Sequence, residues 1–436
     1  MLAKWAFTLA SLLIPATISA MSLTQALEMA GKEAIALRAL SSETRQAEAV
    51  HQQSAQAWFP SISADAAWLR ADSSLITGVP LPTPGIPPTI ERRDFGPVEG
   101  TVSGVQVVQP LFNADAIQLR RAASLKVDAR RHAEGWGQQA IRLEVSRLYF
   151  NVLRSRQQVE ATRTARDAAT EAATLAQTSY QEGLSSRLDT EQAAAELASI
   201  TARLEHARAN RRQARLELKS LLGMTPDQEL TLSTPLPRPS PPVSLEAAQA
   251  RKDLQAQEKA VAAAHADTEA SKAEWIPRVN LLARQQWVEG NEPLEESLNG
   301  WLVAINLQWT IFDGFGRRGR IAESRAMEQK SRTELDGIER RIQREQAIAM
   351  SRWQASWAGL RAAQKAVEAG SRAEQLAVRR YEEGIGSMTD LLASQARLDR
   401  QRMALIDARY QSVMASMNYY LQNGYDPISA VQEQLR

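Results

Sequence analysis

The sequence contains no cysteine and only four histidines among its 436 residues. The absence of cysteine excludes disulfides, thiolate metal sites, a cysteine nucleophile and a lipidated N-terminal cysteine. The histidines occur singly and never in the HExxH spacing of zinc hydrolases. They are His51, His132, His206 and His265. We therefore predict no catalytic residue, no metal ligand and no cofactor, and we do not expect an enzyme.

A surplus of charge of one sign is also missing. Lys and Arg number 52 against 50 for Asp and Glu, which gives a formal net charge of +2. No basic excess is available to neutralise a phosphate backbone, so nucleic acid is not an expected partner. After the first twenty residues, no stretch approaches the ~18 consecutive apolar residues of a transmembrane helix. A mature chain that crosses a membrane must then cross it as β-strands.

The first twenty residues have the pattern of a signal peptide. Lys4 supplies a positive charge, residues 5–14 form an apolar run, and Pro15 is followed by small residues up to a cleavage site after Ala20. This pattern predicts export of the chain. The alternative is a short buried helix.

The sequence is duplicated. Residues 180–189, YQEGLSSRLD, recur as residues 381–390, YEEGIGSMTD, 201 positions later. Two long copies indicate an internal duplication rather than an array of short repeats. The predicted divisions are a signal peptide at 1–20, a first repeat at 21–222, a proline-rich linker at 223–243, a second repeat at 244–424 and a C-terminal tail at 425–436.

Each repeat is predicted to contain a helix, two strands, a very long helix and a shorter helix. The two proline-free segments 113–180 and 315–381 each predict one helix about 100 Å long. Four other segments have helical patterns of about half that length, and two of them stacked end to end would match one long helix. They are 23–59, 186–222, 244–276 and 387–423. The predicted fold class is mixed α and β, mostly α, built on long antiparallel helices.

The predicted strands have two chemically different faces. Residues 278–288 and 301–311 alternate polar and apolar side chains, and segments near 61–69 and 101–109 do so less regularly. Tryptophans near strand ends are typical of outer-membrane strands. Four strands cannot close a barrel, so several chains would have to pool them. Residues 72–100, rich in proline, and 289–300 are predicted to be loops. The alternatives are a soluble sheet or a plain coiled coil.

Several motifs in this order resemble the TolC family of outer-membrane efflux proteins. They are a signal peptide, the duplicated unit, Trp58-Phe59-Pro60 and Trp275-Ile276-Pro277 before the strands, Phe312-Asp313-Gly314 after them, and the paired Tyr-x-x-Gly turns. The resemblance implies a homotrimer with a shared 12-stranded transmembrane β-barrel in the outer membrane of a Gram-negative bacterium. An α-helical barrel would continue this barrel through the periplasm.

The same resemblance implies a passive exit duct in a tripartite efflux or type I secretion system. The partners would be a periplasmic adaptor, or membrane fusion, protein and an inner-membrane pump of the RND or ABC type. The alternative is a soluble periplasmic coiled-coil scaffold or adaptor. The cargo is not implied, because drugs, metal ions and polypeptides all leave through such ducts.

The two turns are the candidate gate. Asp189 and Asp390 follow the turn glycines by six residues, and a ring of such carboxylates in a trimer would favour cations. The alternative is that both aspartates complement a helix N-terminus, which stabilises by ~0.3–1 kcal/mol. The resemblance implies that Asp390 is the first of two acidic positions, and Ala393 occupies the second. It also implies that Tyr381 belongs to a lock in which Gly386 stands where the family has arginine.

The turn residues are also the candidate contact with the adaptor, as the family resemblance implies. The alternative is ordinary turn chemistry. These residues are Gly183, Leu184, Ser185, Ser186, Gly384, Ile385, Gly386 and Ser387.

A literal GxGxxG match occurs at residues 314–319, after a strand and before a helix. A dinucleotide site would need a continuously apolar strand, a shorter helix and a second strand that ends in an acidic residue. None of these is found. We interpret the glycines as a strand-to-helix bend where close packing leaves no room for side chains.

Overall fold

The computed structural model describes residues 20–72, 97–245, 248–290 and 297–431. The predicted signal peptide and most of the predicted loop at 72–100 lie outside the described residues. The helices are α1 (Leu23–Glu33), α2 (Ile35–Gln53), α3 (Ala114–Gln181), α4 (Arg187–Leu221), α5 (Lys252–Ala273), α6 (Gly316–Glu382) and α7 (Met388–Gln422). The strands are β1 (Ser61–Asp72), β2 (Pro97–Phe112), β3 (Arg278–Gly290) and β4 (Leu298–Gln308).

The chain divides into two compact units. Of the described residues, the helical unit comprises 20–42, 132–245, 248–255 and 338–431, and the strand unit comprises 43–72, 97–131, 256–290 and 297–337. Each predicted repeat contributes to both units. The duplication therefore does not produce one compact body per copy.

The strand unit contains one antiparallel sheet in the order β1-β2-β3-β4. Strand β2 begins at Pro97, inside the segment predicted to be a loop, because its first three residues pair with residues 70–72 of β1, whereas pairing with β3 begins at Gly100. Strand β4 spans Leu298–Gln308, so the strand predicted at 301–311 has the right length but lies three residues too far along the chain. Gln308 pairs with Arg278, the first residue of β3, so β3 offers no partner to the residues that follow Gln308.

The sheet has one apolar and one polar face, as the alternation predicts. On the polar face, Arg284 donates from Nη2 to Asp65 Oδ2 over 2.9 Å and from Nη1 to Gln106 Oε1 over 3.4 Å. The register places these residues on one face: Ile62, Trp68, Val105, Val107, Val279, Leu281, Ala283, Trp287, Trp301, Val303, Ile305 and Leu307.

The core of the helical unit collects apolar residues from α1, α3, α4, α7 and the proline-rich segment. Tyr149 is fully buried, and its hydroxyl donates to Met21 O and accepts from Thr234 N, both at 2.9 Å. Leu230 of the proline-rich segment is buried in the same cluster. One satisfied hydroxyl thus links the start of the described chain, a long helix and the segment between the repeats.

The two long helices are continuous, as predicted. Helix α3 has 68 residues and α6 has 67. The predicted apolar seam of α3 is buried, with Val145, Leu148, Val152 and Val159 exposed by 0%, 5%, 7% and 7%. The described residues contain no helix that is both long enough and apolar enough to span a membrane.

The helix predicted for residues 244–276 is shorter than expected, since α5 begins only at Lys252. The preceding Arg251 is 3% exposed, and its side chain pairs with Asp253 at 2.8 Å and with Glu345 at 2.8 Å. It also donates to Gln422 over 2.6 Å. Arg251 anchors this end of α5 to partners on α6 and α7 that lie far away in the sequence, which a local pattern does not indicate.

Candidate functional site

The turns that end the two long helices have the same backbone geometry. Gly183 and Gly384 have φ of 75° and 72°, a conformation that favours glycine. The residue after each glycine donates its N–H back to the last turn of the helix, Leu184 to Ser179 O over 2.8 Å and Ile385 to Arg380 O over 2.9 Å. This is the Schellman ending of an α-helix, and it reverses the chain within a few residues.

A serine caps each returning helix, but the two aspartates are held differently. Asp189 Oδ2 accepts from both the N–H and the hydroxyl of Ser186, each at 3.0 Å, which completes a capping box. Asp390 Oδ2 accepts from the Ser387 hydroxyl over 2.8 Å. Asp390 is exposed and Asp189 is half-buried. Both aspartates lie in the first turn of their helix, where a negative charge complements the helix N-terminus, and the Asp189 carboxylate is the more fully engaged of the two.

The structure brings the two turns together through a small buried cluster. Ala176 of α3, Ala193 of α4, and Met388 and Leu391 of α7 are each no more than 2% exposed. Tyr381 at the end of α6 packs against them. Thus all four helices at the turns contribute to one cluster, and a displacement of either helical hairpin would open it.

Tyr381 and Gly386 are the positions of the lock that the family resemblance implies, and the structure describes the surroundings of both. The Tyr381 hydroxyl is buried and has no hydrogen-bond partner among the described residues. A Cβ added to Gly386 would lie 3.0 Å from the carbonyl carbon of Arg380 and 3.1 Å from Tyr381 N. The backbone would have to shift to accept an arginine at this position.

Apolar side chains are exposed at both turns. Leu184 is 78% exposed and Ile385 is 63% exposed. In a Schellman ending, the residue at this position usually packs against the preceding turn of the helix. These two side chains leave apolar surface uncovered at the turns.

Sequence reasoning missed two features of this site. Leu188 is 64% exposed, and Thr389 of α7 donates from its hydroxyl to Gln192 Oε1 of α4 over 3.2 Å. Leu188 and Thr389 are matching positions of the duplication, and their chemical difference is a signal that comparison of the copies could have found. Comparison of the copies could not have found the Thr389–Gln192 contact, because residues 389 and 192 are not equivalent positions of the duplication.

The apolar face of the sheet carries tryptophans near both ends. Trp68, Trp287 and Trp301 lie near the strand ends that lead to the connections between strands, and all three are exposed. Three further exposed tryptophans, Trp58, Trp275 and Trp309, lie at the opposite end. Aromatic belts on both sides of an apolar band are typical of strands that meet lipid.

The glycine-rich segment at 314–319 forms the predicted bend. Gly314 has φ of 65°, and Asp313 Oδ2 accepts from Arg317 N over 2.8 Å. Partial desolvation opposes ionisation, but the N–H of Arg317 and the guanidinium groups of Arg317 and Arg320 hold the pKa of Asp313 below its usual value. The close-packing explanation is wrong for Gly314 and Gly319, where an added Cβ meets no described atom within 4 Å.

The Asp313 carboxylate therefore already occupies the N-terminus of α6, where a phosphate would have to bind. Within the described ranges, no group of three or more His, Asp or Glu residues is arranged to hold a metal ion.

The sequence matches the family model described as outer membrane efflux protein over residues 26–224 and 243–420. It is 29% identical over 332 residues to Protein CyaE of Bordetella pertussis, covering 70% of this chain and 68% of CyaE. It is 25% identical over 341 residues to the outer membrane efflux protein BepC of Brucella suis, covering 76% of this chain and 73% of BepC. The structure is similar to the Campylobacter jejuni CmeC outer membrane channel, with a TM-score of 0.76, 15% identity, and coverage of 95% of this chain and 89% of CmeC.

The chain belongs to the outer membrane efflux protein family. It is an outer-membrane exit duct for efflux or secretion that extends into the periplasm. The family and the matched structures are channels rather than enzymes, and proteins of this family work with adaptor and inner-membrane pump components. The alternative of a soluble scaffold is therefore not adopted.

Proposed function

We propose that three copies of the chain form the duct and that the two helical turns of each copy form its gate. The observation that carries the gate is the pair of matching turns joined by the buried cluster around Tyr381. Asp390, Asp189 and Tyr381 are the gate residues. The substrate leaves passively, because the free energy comes from the pump.

The sheet supports the trimer. Strands β1 and β4 each have one edge without a neighbouring strand in the described part of the chain. Such edges pair readily with another strand. Pooling the four strands of three chains gives the 12 strands that the family resemblance implies, and the apolar face with its tryptophans would then meet lipid.

Asp390 is the principal gate residue in this proposal. Its side chain is exposed, whereas the Asp189 carboxylate is engaged by two hydrogen bonds from Ser186. Three copies of Asp390 would form an acidic ring that attracts cations. The unpartnered Tyr381 hydroxyl and the glycine at 386 support a lock that is weaker than in family members with arginine.

The exposed Leu184 and Ile385 support contact between the turns and an adaptor protein. Burying them on assembly would supply apolar contact that the turns lack in the free chain. The partner pump is of the RND or ABC type. The contacting set is the eight turn residues from Gly183 to Ser186 and from Gly384 to Ser387.

Ion selectivity in a planar lipid bilayer tests the gate. Purified protein should conduct with a preference for cations, and both Asp390→Asn and Asp390→Ala should reduce that preference. The Asn variant keeps an oxygen that can accept from the Ser387 hydroxyl, so it separates loss of charge from loss of that hydrogen bond. Asp336→Asn, an exposed position of α6, is the matched control and should behave as the unmodified protein.

Unchanged selectivity in both Asp390 variants would contradict the gate and leave the duct intact. Folded protein that never conducts, or that is not trimeric in detergent, would contradict the proposed trimeric channel.

A further inference from the structure

Helix α7 has a single exposed stripe next to the turn. Between Asp390 and Ala404, the exposed residues are Asp390, Ala393, Arg397, Arg400 and Ala404. Their spacing of three and four residues is that of one face of an α-helix. The intervening positions are partly or fully buried. The only charged residues on this stripe are one aspartate and two arginines.

The two arginines have no structural role that the fold reveals. Neither Arg397 nor Arg400 has a hydrogen-bond or ion-pair partner within the described residues. Like charges three residues apart on a helix repel each other by a few tenths of a kcal/mol. Their other neighbours on the stripe, Ala393 and Ala404, carry no charge that could compensate. The pair is thus slightly unfavourable for the helix and open to solvent.

Helical geometry relates the arginines to Asp390. They follow it by seven and ten residues, which places them about 10 and 15 Å further along the helix and within about 80° of the same direction. Arg397, about 20° from the direction of Asp390, therefore faces the same space at the next level, and Arg400 borders that space one level further on.

The first copy lacks this feature. The positions that match Arg397 and Arg400, 201 residues earlier, hold Glu196 and Ser199. Glu196 is paired with Arg203 at 2.7 Å. Two neighbouring arginines without an ion-pair partner at these positions are therefore particular to the second hairpin and are not a general product of the duplication.

We infer that Arg397 and Arg400 form a positively charged zone of the passage directly behind the Asp390 ring and select carboxylate-bearing, anionic cargo. This inference rests on the proposed function, in which Asp390 faces the passage of a trimer. Three chains would contribute six arginines. In a confined space lined by low-dielectric walls, such a ring raises the local concentration of anions. Cargo rich in carboxylates would be held after the gate.

The test uses the full-length channel in a planar bilayer, with polyglutamate as the probe. In the double variant Arg397→Gln/Arg400→Gln, we expect the cation-to-anion permeability ratio to rise at least about twofold. We expect the on-rate of polyglutamate block to fall about tenfold or more. The variant Arg397→Lys/Arg400→Lys keeps the charge and should retain block. Arg212→Gln removes an exposed arginine of α4 and is the matched control.

The outcomes separate this inference from the gate. In one outcome the Asp390 variants change selectivity, while the Gln double variant conducts like the unmodified channel and is blocked by polyglutamate to the same extent. The arginines are then solvated surface residues, and the inference is overturned. If the Gln double variant changes both readouts and the Asp390 variants change neither, the basic zone stands and the gate is wrong.

Discussion

The two helical hairpins share their backbone geometry and differ in their charges. Both turns place glycine at a positive φ and serine at the cap of the returning helix. Helix α4 then carries the half-buried Glu196 in an ion pair, whereas the matching position of α7 carries the exposed and unpaired Arg397. Positive φ permits few residue types, while exposed charges contribute little to stability. The duplication has therefore kept what the turn requires and varied what the surface tolerates.

The residues that precede helices α2 and α5, which occupy matching places in the two copies, can be compared in the same way. Ala34 and Arg251 each lie 24 residues before the first tryptophan of the Trp-x-Pro motifs, and each directly precedes a helix. In the first copy another helix, α1, comes before this point. In the second copy the chain runs without helix from Ala248 to Arg251 in the described residues. The buried Arg251 thus anchors the start of α5, whereas in the first copy helix α1 precedes the start of α2.

The strongest way to break the likeness of the turns is to replace their glycines. Gly183→Val or Gly384→Val would strain the backbone by about 1–2 kcal/mol and reshape the contact surface, so we expect export to fall at least tenfold with trimers intact. Export would be measured in cells that depend on the plasmid-borne channel. Gly337→Val, within α6 where an added Cβ meets no described atom within 4 Å, should leave export unchanged. Full export by both turn variants would contradict the docking role.

The second comparison is tested at Arg251. Arg251→Met leaves Asp253 and Glu345 without their buried partner, so we expect a loss of about 3 kcal/mol and a lower Tm by circular dichroism. Arg341→Met removes a more exposed arginine that contacts the same two carboxylates, at 3.4 and 3.9 Å, and should cost far less. Equal losses in the two variants would show that burial of Arg251 is not the cause.

The helix caps Ser186 and Ser387 allow a test in which the expected loss of stability is smaller and differs between the two turns. Ser186→Ala should cost about 1 kcal/mol and Ser387→Ala less, because only Ser186 has the complete capping box. Hydrogen exchange at the amides of Asp189 and Asp390 would report the local opening of each helix. A larger effect at Ser387 would reverse the ranking that the hydrogen bonds give.

The smallest effect is expected at Asp399, which lies beside Arg400 on α7. Burial raises the pKa of the Asp399 carboxyl, and Arg402 and Arg203 offset only part of that rise. The folded state then binds more protons than the unfolded state, so this group lowers stability as pH rises from about 4, the unfolded value, through its folded pKa. Asp399→Asn should raise Tm slightly at pH 7, and the gain should shrink toward pH 4. Asp336→Asn is the exposed control, and a gain independent of pH would contradict this explanation.

The helices, the duplication and the turns could be predicted from the sequence because their signals are local. Gly183 and Gly384 recur at a fixed spacing, and Val145 and Val152 repeat along one helical face. The start of α5 could not be predicted, because Arg251 meets Glu345 and Gln422 only after folding. The length of β2 was missed for the same reason, since pairing with residues 70–72 of β1 extends the strand to Pro97.

The site was predicted in part. The recurring glycines of the turns indicate the reversal of the chain, which is present, whereas the serine caps were not predicted. The buried cluster that includes Ala176 and Leu391 carries no motif, because alanine and leucine occur throughout the helices. The unpartnered hydroxyl of Tyr381 depends on what surrounds it, and no sequence pattern reports that.

The spacing between Trp301 on β4 and Trp309, one residue beyond the end of β4, has a consequence for the membrane that suits the protein. Trp301 and Trp309 are eight residues apart, which is about 26 Å of extended chain. At the usual strand tilt of about 40°, this corresponds to about 20 Å along the membrane normal, less than the ~30 Å core of a typical bilayer. Hydrophobic mismatch would thus favour a thin membrane, and the bacterial outer membrane is thinner than average. Short-chain lipids are accordingly the better host for reconstitution.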